Sequence, residues 1–247
     1  MTTFAFLEYF VRSRDEAHRL LATEQERSAK LLLSIFPRPI AERLKLSHGI
    51  IAERSEEVSV LFADITGFTP AAERLPAEDV AVLLDEVFST FDELVARHGL
   101  EKIKTIGDGY LAAAGIPTPR SDHAEAAARL ALDMKQALAT LSAASGLSLR
   151  VGIDSGPVVA GVIGRSTFGY DLWGDTVNTA SRMELHAPAG AIQVTERTYR
   201  RLQEAFVLER REGLAVKGKG EMTTYVLLGE RPSSPTAAAR YERASSR

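Results

Sequence analysis

Apolar residues at helical spacing dominate the first part of the chain. Between residues 5 and 36 leucine and phenylalanine positions recur among many charges, and neither glycine nor proline occurs before Pro37. This pattern predicts one long helix over residues 5 to 36. Because its polar middle cannot be buried by the helix itself, pairing with a second copy in a parallel coiled coil is a natural hypothesis. Pro37 and Pro39 end the helix, and a short helix and a linker near residues 50 to 57 are expected next.

From residue 58 onward, apolar runs of strand length alternate with helical periodicity. VSVLFA (58–63) is typical of a strand that is covered on both faces. Helical spacing follows over residues 77 to 99, with Gly99 at a good C-cap position, and over residues 121 to 141, with Ser121 or Asp122 as the N-cap. KIKTI and YLAAAG, on either side of Gly107-Asp108-Gly109, are typical of a hairpin.

The second half of the chain continues this alternation. LSLRVGIDSG (147–156) and PVVAGVIG (157–164) predict a further pair of strands, and two helices and three strands follow Tyr170. The order β-α-β-β-α-β with extra C-terminal elements predicts an α+β fold, a ferredoxin-like split βαβ core preceded by the long helix. The chain then divides into a helical segment (1–49), a folded domain (50–229) and a tail (230–247) rich in Ser, Pro and Ala, which we expect to be disordered.

Composition excludes some classes of function. The 247 residues carry 30 Lys and Arg against 33 Asp and Glu, a formal net charge of −3. This balance argues against a nucleic-acid surface, whose affinity rests mainly on basic residues that neutralise phosphates. The chain has no cysteine, which removes disulfides, thiolate metal sites and cysteine nucleophiles. The N-terminal FAFLEYFV followed by RSR resembles the cytoplasmic exit of a membrane helix, and an amphipathic cap on a soluble helix explains it equally well.

Two aspartates carry the first chemical hypothesis. Asp64 directly follows the first predicted strand and Asp108 lies in the hairpin turn; taken singly, they are typical of a helix cap and of turn chemistry. In the predicted fold the first strand and the hairpin lie side by side, so both carboxylates reach the same edge. Two carboxylates held close together repel, and the usual remedies are a shared proton or divalent cations. Two such cations can also activate a hydroxyl and neutralise a transferring phosphoryl group. Backbone N–H groups of Gly67, Phe68 and Thr69 are placed to face phosphate oxygens.

Five motifs in order resemble those of the class III adenylate cyclases. They are FADITGFT, KTIGDGY, VGIDSGPV, YDLWGDTVNTASRME and VKGKG, and they cover about residues 50 to 229. The preceding LLLSIFPRPIAERLK resembles the helical lead-in of many such domains. The resemblance implies that ATP is converted into 3′,5′-cyclic AMP and pyrophosphate with two Mg²⁺ or Mn²⁺ ions per active site. It also implies a bacterial enzyme in the cytoplasm, or at the cytoplasmic face of a membrane whose anchor lies N-terminal to this chain.

The same resemblance implies a role for each motif residue. The implied residues are Asp64, Asp108 and the backbone carbonyl of Ile65 for the metals; Lys104 and Asp171 for adenine; Asn178 and Arg182 for the ribose and the transition-state phosphate; and Arg150 and Lys217 for the phosphates. Phe68 and Thr69 join the phosphate set because their backbone N–H groups are placed to face phosphate oxygens. Lys219 is a less favoured alternative to Lys217. A cation and a carboxylate complement the ring acceptor and amino donor of adenine, so Lys104 with Asp171 favours ATP.

The resemblance also implies a partner and leaves other functions open. In the family the metal ligands come from one subunit and the remaining readers largely from the other, which implies a head-to-tail homodimer with two equivalent sites. A guanylate cyclase shares this frame with other base-reading residues. A catalytically inactive regulatory module would lack one or more of Asp64, Asp108, Asn178 and Arg182, and none is missing. An RNA-recognition module would need paired aromatics on the central strands and a basic face, and the chain offers neither.

Three further residues have structural interpretations. GIDSG (152–156) is similar to a nucleophile elbow, but Ile153 stands in place of its first glycine, so Ser155 is expected in a turn. His123 follows a helix cap and is expected to form a local hydrogen bond. Trp173 lies beside the proposed site, where packing is a more common role than ligand stacking.

Overall fold

The structure is a computed structural model that describes residues 2–46, 51–141, 144, 146–163 and 169–232. Within these ranges the chain forms seven α-helices and eight β-strands. The helices are α1 (Thr2–Ile35), α2 (Arg38–Leu46), α3 (Phe68–Ala72), α4 (Ala77–His98), α5 (His123–Thr140), α6 (Asp175–His186) and α7 (Glu196–Leu202). The strands are β1 (Ile51–Thr66), β2 (Glu101–Ile106), β3 (Gly109–Ala114), β4 (Ser148–Val162), β5 (Tyr170–Trp173), β6 (Ile192–Thr195), β7 (Phe206–Val216) and β8 (Gly220–Glu230).

The first of two compact units contains α1 and α2. α1 confirms the predicted long helix and ends two residues before Pro37. Leu20, Leu21 and Ile35 are 64, 57 and 61% exposed in a single chain, so the parallel coiled coil stays a prediction with apolar surface available for it. Among the described residues we find no helix apolar and long enough to cross a membrane. Most of the predicted disordered tail, residues 233–247, lies outside the described residues.

The second unit holds the body of a sheet with strand order β2-β3-β1-β4-β6-β8-β7, and β5 pairs with β4 beside this path. β3 is antiparallel to β1 and to β2, whereas β4 is parallel to β6. β8 is antiparallel to both β6 and β7. The units β1-α4-β2 and β3-α5-β4 form the split βαβ core, which confirms the predicted α+β class and ferredoxin-like arrangement.

Two strands are longer than the sequence pattern predicts. β1 begins at Ile51, so the predicted linker over residues 50 to 57 is wrong for the described part of it. The charged side chains in the first part of β1 are largely exposed. The strand therefore extends into a segment where the apolar pattern gives no signal. β4 is one strand from Ser148 to Val162, not a pair, because Pro157 fits an extended backbone without ending the strand. Ser155 is therefore a buried strand residue, and its expected place in a turn is wrong.

The ends of the two long core helices were predicted with mixed success. Gly99 occupies the C-cap of α4 with a left-handed φ of 66°, as expected. Asp122 occupies the N-cap position of α5, but its side chain caps no helix N–H. Its carboxylate instead accepts hydrogen bonds from Arg120 at 2.8 Å, because a charged partner two residues away competes with the neutral backbone donor.

The core lies on one face of the sheet, under α4 and α5. Leu61, Ala63 and Tyr110 belong with the apolar sides of both helices to one cluster of buried residues. Because successive side chains of a strand alternate between faces, Phe62 and Asp64 lie on the opposite face of β1. The alternation of side chains along β1 therefore buries Leu61 and Ala63 and at the same time keeps the carboxylate of Asp64 out of the core.

α6 lies against that opposite face through a close contact at Gly152 of β4. A Cβ atom at Gly152 would lie 2.0 Å from the backbone nitrogen of Glu184 and 2.3 Å from the carbonyl oxygen of Ala180. Only glycine lets the helix backbone approach a strand so closely. The contact thereby places the helix that carries Asn178 and Arg182.

We expect Gly152→Ala to lower the free energy of unfolding by about 1–3 kcal/mol, at the upper end of this range because both clashing atoms belong to the backbone. Gly169→Ala is the matched control, since no heavy atom of the described structure lies within 4 Å of its Cβ position and its φ is not positive. Chemical denaturation followed by circular dichroism measures both variants. Equal stability of the two would contradict the close contact.

Candidate active site

Asp64 and Asp108 lie at one edge of the sheet because of the register between β1 and β3. Asp64 is opposite Gly109 across the antiparallel ladder, and Asp108 is the preceding residue in the β2–β3 turn. Burial and, to a smaller extent, repulsion from Asp64 raise the pKa of Asp108, while its own backbone and Arg150 oppose the shift. The predicted juxtaposition of the two carboxylates is therefore confirmed. Ile65 follows with its side chain in the core, so only its backbone is available at this edge.

Arg150 on β4 joins this edge to α6. Its Nη2 donates to Asp64 Oδ2 at 2.9 Å and its Nε donates to Glu184 Oε1 at 2.7 Å. Glu184 is largely buried, and burial raises its pKa although the bond from Arg150 opposes the shift. Glu184 was missed in the sequence analysis. Its position at the end of the motif YDLWGDTVNTASRME, two residues after Arg182, is the signal that could have identified it.

The donor set at this edge suits hard cations. Within the described ranges no group of three or more His, Asp or Glu side chains is arranged to hold a metal ion. Asp64 and Asp108 are two carboxylates, and the backbone carbonyl of Ile65 would be a third oxygen donor. Mg²⁺ and Mn²⁺ prefer such oxygen ligands, and Mg²⁺ is commonly bound through one or two carboxylates together with substrate phosphates.

An open pocket of about 460 Å³ adjoins Asp108. Phe68 and Thr69 of α3 line it together with Gly107 of the hairpin turn and apolar residues of α4. Gly67 precedes α3 with a left-handed φ of 88°, a conformation that glycine adopts without strain and that turns the chain into this short helix. The loop that was predicted to face phosphate oxygens therefore borders the same pocket as one of the two carboxylates.

The two predicted adenine readers form an ion pair. Lys104 Nζ on β2 donates to Asp171 Oδ2 on β5 at 2.5 Å, although 67 residues separate them in the sequence. Lys104 pairs with Leu111 of β3, which pairs in turn with Phe62 of β1. Cross-strand partners share a face, so Lys104 lies on the same face of the sheet as Asp64.

Asn178 and Arg182 lie one turn apart on α6, as predicted, and Arg182 approaches the β7–β8 hairpin. A Cβ atom at Gly218 would lie 3.7 Å from Arg182 Nη1. Lys217 is exposed in this hairpin, and the described part of the chain gives it no hydrogen bond or ion pair. Lys219 instead donates to Asp175 Oδ2 at 2.5 Å. Lys217 is thus the lysine that can reach a ligand without breaking an ion pair.

The predicted site residues form two groups within one chain. The edge that carries Asp64 and Asp108, here called the metal edge after its predicted ligands, is joined to α6 by Arg150. The pair of Lys104 with Asp171 forms the second group. In the described ranges no hydrogen bond or ion pair joins the two groups directly. Trp173, two residues after Asp171, remains more than a third exposed, so packing accounts for only part of its surface.

Residues 50–229 match the model of the adenylate and guanylate cyclase catalytic domain. An adenylate cyclase of Mycobacterium tuberculosis is 46% identical over 235 residues, which cover 94% of this chain and 53% of that protein. The chain therefore spans about half the length of the curated relatives that it matches first.

Solved structures agree with this assignment. The guanylate cyclase domain of RhGC from Catenaria anguillulae in complex with GTP is 39% identical with a TM-score of 0.70, covering 72% of this chain and 100% of that one. The adenylyl cyclase CyaB from P. aeruginosa is 27% identical with a TM-score of 0.70, covering 74% of this chain and 98% of that one. The family match over residues 50–229 and the shared fold lead to one conclusion: the chain belongs to the adenylate and guanylate cyclase catalytic domain family.

Proposed function

We propose that this chain is an adenylate cyclase, which converts ATP into 3′,5′-cyclic AMP and pyrophosphate. The observation that carries the choice of ATP is the ion pair between Lys104 and Asp171 on the sheet face that also bears Asp64. An ammonium group can donate to a ring nitrogen of adenine, and a carboxylate can accept from its amino group. The 46% identity to an adenylate cyclase supports the same choice.

Two divalent cations, Mg²⁺ or Mn²⁺, are proposed at the edge formed by Asp64, Asp108 and the carbonyl of Ile65. Burial and, to a smaller extent, the charge of Asp64 disfavour ionisation of Asp108, and the positive charge of bound cations would favour the ionised form. When bound, such ions lower the pKa of the ribose 3′-hydroxyl and neutralise charge on the α-phosphate. Asp64 and Asp108 would hold the positive charge of the ions at the place where the 3′-oxygen attacks the α-phosphorus and pyrophosphate leaves.

The remaining side chains position the substrate and meet the developing negative charge. Asn178 and Arg182 share one face of α6 and are proposed to orient the ribose and stabilise the transition-state phosphate. Lys217, in the hairpin that Arg182 approaches, is proposed to bind the terminal phosphates. Arg150 and the backbone of Phe68 and Thr69 are proposed to bind the triphosphate. Positioning and electrostatics of this kind dominate phosphoryl-transfer catalysis, so little covalent chemistry is required of the protein.

We propose that the active form is a head-to-tail homodimer. Each chain offers a metal edge and a base-reading pair as two groups, and a site shared between two chains would combine one group from each. The exposed leucines of α1 offer apolar surface for pairing of the N-terminal helices, which we propose to be parallel. The cytoplasmic location and any membrane anchor preceding this chain stay predictions.

Guanylate cyclase activity is the second candidate. The guanylate cyclase domain of RhGC from Catenaria anguillulae in complex with GTP is 39% identical to this chain, so a domain with this fold can bind GTP. Guanine presents a ring N–H donor and a carbonyl acceptor at the edge where adenine presents the reverse pattern. Lys104 and Asp171 are therefore the residues on which the choice depends.

Asp108→Asn is expected to lower cyclic AMP formation about a hundredfold or more, because it removes one of two proposed metal carboxylates without changing size. Product is measured by chromatography after incubation with ATP and MnCl₂. Asp85→Asn is the matched control, since Asp85 is exposed on α4. Turnover retained by a folded Asp108→Asn variant would contradict the two-metal proposal.

The double variant Lys104→Glu/Asp171→Cys should shift the ratio of kcat/KM values from ATP toward GTP by about tenfold to a hundredfold, as expected for 1–3 kcal/mol of base discrimination. Competing ATP and GTP in one reaction measures this ratio directly. Lys102→Glu is the control. It reverses a charge on the same strand, but Lys102 pairs with Asp92 and not with Asp171. If the nucleotide preference stays unchanged, these two residues do not read the base.

Mixing two inactive variants tests the shared site. Asp108→Asn damages the metal edge, and Arg182→Ala removes a substrate-binding side chain that the family resemblance assigns to the other chain of each site, so a mixed dimer retains one intact site. Random exchange of subunits should restore about a quarter of wild-type activity per chain, because half of the dimers are mixed and each has one of two sites intact. Activity that stays at the level of the separate variants would exclude the shared arrangement.

A further inference from the structure

Asp154 of β4 is a buried carboxylate that the proposed reaction does not use. Its side chain has no exposed surface. Oδ1 accepts hydrogen bonds from Thr195 Oγ1 at 2.6 Å and from the backbone nitrogen of Ser155 at 2.9 Å, and Oδ2 accepts one from Arg197. An unpaired carboxylate at such a place would be strongly destabilising, so these donors are what allow a charge in the sheet.

Arg197 continues from this buried charge toward the proposed phosphate-binding region. Its Nη2 lies 3.8 Å from Asp175 Oδ2, and the same oxygen accepts a hydrogen bond from Lys219 Nζ at 2.5 Å. Asp154, Arg197, Asp175 and Lys219 thus form a row of alternating charges, here called the charge row. It passes from β4 through α7 and α6 to the β7–β8 hairpin.

The two elements at the end of the charge row carry proposed catalytic side chains. Asp175 is the first residue of α6, three positions before Asn178 and seven before Arg182. Lys219 follows Lys217 by two residues in the hairpin. A change in the charge row would therefore move the start of α6 and the β7–β8 hairpin together.

Close packing fixes Arg197 against the same corner of the fold. A Cβ atom at Gly156 would lie 2.9 Å from Thr176 Oγ1 and 3.1 Å from Arg197 Nη1. The Thr176 hydroxyl donates to the carbonyl oxygen of Pro157 at 2.8 Å, which ties the first turn of α6 to β4. The guanidinium therefore lies between the strand and the helix start.

The outer part of the charge row is too exposed to act mainly through stability. The side chains of Arg197 and Asp175 are 44 and 59% exposed, and ion pairs at such positions contribute little to the free energy of unfolding. A bond network that contributes little energy can still restrict geometry, because Arg197 is anchored at its inner end by a buried carboxylate.

We infer that Arg197 is a positioning residue for the proposed cyclase reaction. Anchored on Asp154, it fixes Asp175 at the start of α6 and, through Lys219, the hairpin that carries Lys217. Asn178, Arg182 and Lys217 then converge on one bound nucleotide. The inference rests on the proposed roles of these three residues, and Arg197 itself touches no reacting atom.

The test compares Arg197→Ala with Arg200→Ala in the full chain. Arg200 lies on the same helix and forms an exposed ion pair with Glu196, so it is a matched control. For Arg197→Ala we expect kcat with ATP and MnCl₂ to fall about tenfold while KM stays within about threefold, as for lost alignment at a site. Arg197→Lys should recover most of the activity, and Arg200→Ala should resemble the wild type.

Hydrogen exchange provides a readout that does not depend on turnover. Amide exchange in the first turn of α6 and in the hairpin over residues 216–220 should accelerate about tenfold in Arg197→Ala, with the core strands unchanged. Asp175→Asn, a surface change of equal size, should accelerate exchange at the same two places and serves if Arg197→Ala does not fold. Unchanged exchange there, or a lower Tm with unchanged kcat per folded chain, would overturn the inference. A wild-type chain that makes no cyclic nucleotide from ATP or GTP would refute the proposed function instead.

Discussion

The antiparallel pairing of β1 with β3 is the constraint on which the site depends. It places Asp64 opposite Gly109 and therefore beside Asp108. The same strand buries Leu61 and Ala63 under α4 and α5, so a slip of one residue would turn Asp64 into the core and these apolar side chains out of it. The hydrophobic core and the carboxylate pair thus specify the same register, and neither can change without the other.

The balance of charge at this edge explains why it suits cations. Asp64, Asp108 and Glu184 face a single guanidinium, that of Arg150, which leaves two negative charges uncompensated when all three are ionised. Burial raises the pKa values of both Asp108 and Glu184, and repulsion within the group adds to this effect. Divalent ions and a triphosphate would add charges of both signs, and cations on Asp64 would release Arg150 for its proposed role in binding phosphate.

The sequence allowed the core order of strands and helices and the positions of the motif residues to be predicted, because these follow from local periodicity and from the motif pattern. The length of β4 across Pro157 was not predictable, since strand pairing there is set by neighbours distant in the chain. His123 shows the same limit: it forms hydrogen bonds, but the local bond expected for it is wrong, because its partners are Ser59 and Glu57, 64 and 66 residues away. Contacts made by the backbone of α6 at Gly152 likewise leave no periodic signal.

The proposed catalytic groups differ in how firmly the fold holds them. Asp64, Lys104 and Arg150 lie on strands of the sheet, where neighbouring ladders fix the backbone. Asn178 and Lys217 lie on a helix and a hairpin whose placement depends on one close backbone contact and on the charge row. A displacement of about 1 Å can change a rate a hundredfold. The placement of α6 and of the hairpin therefore sets how well the motif residues function together. Two chains with identical motifs can therefore differ widely in turnover through residues such as Arg197 that no motif contains.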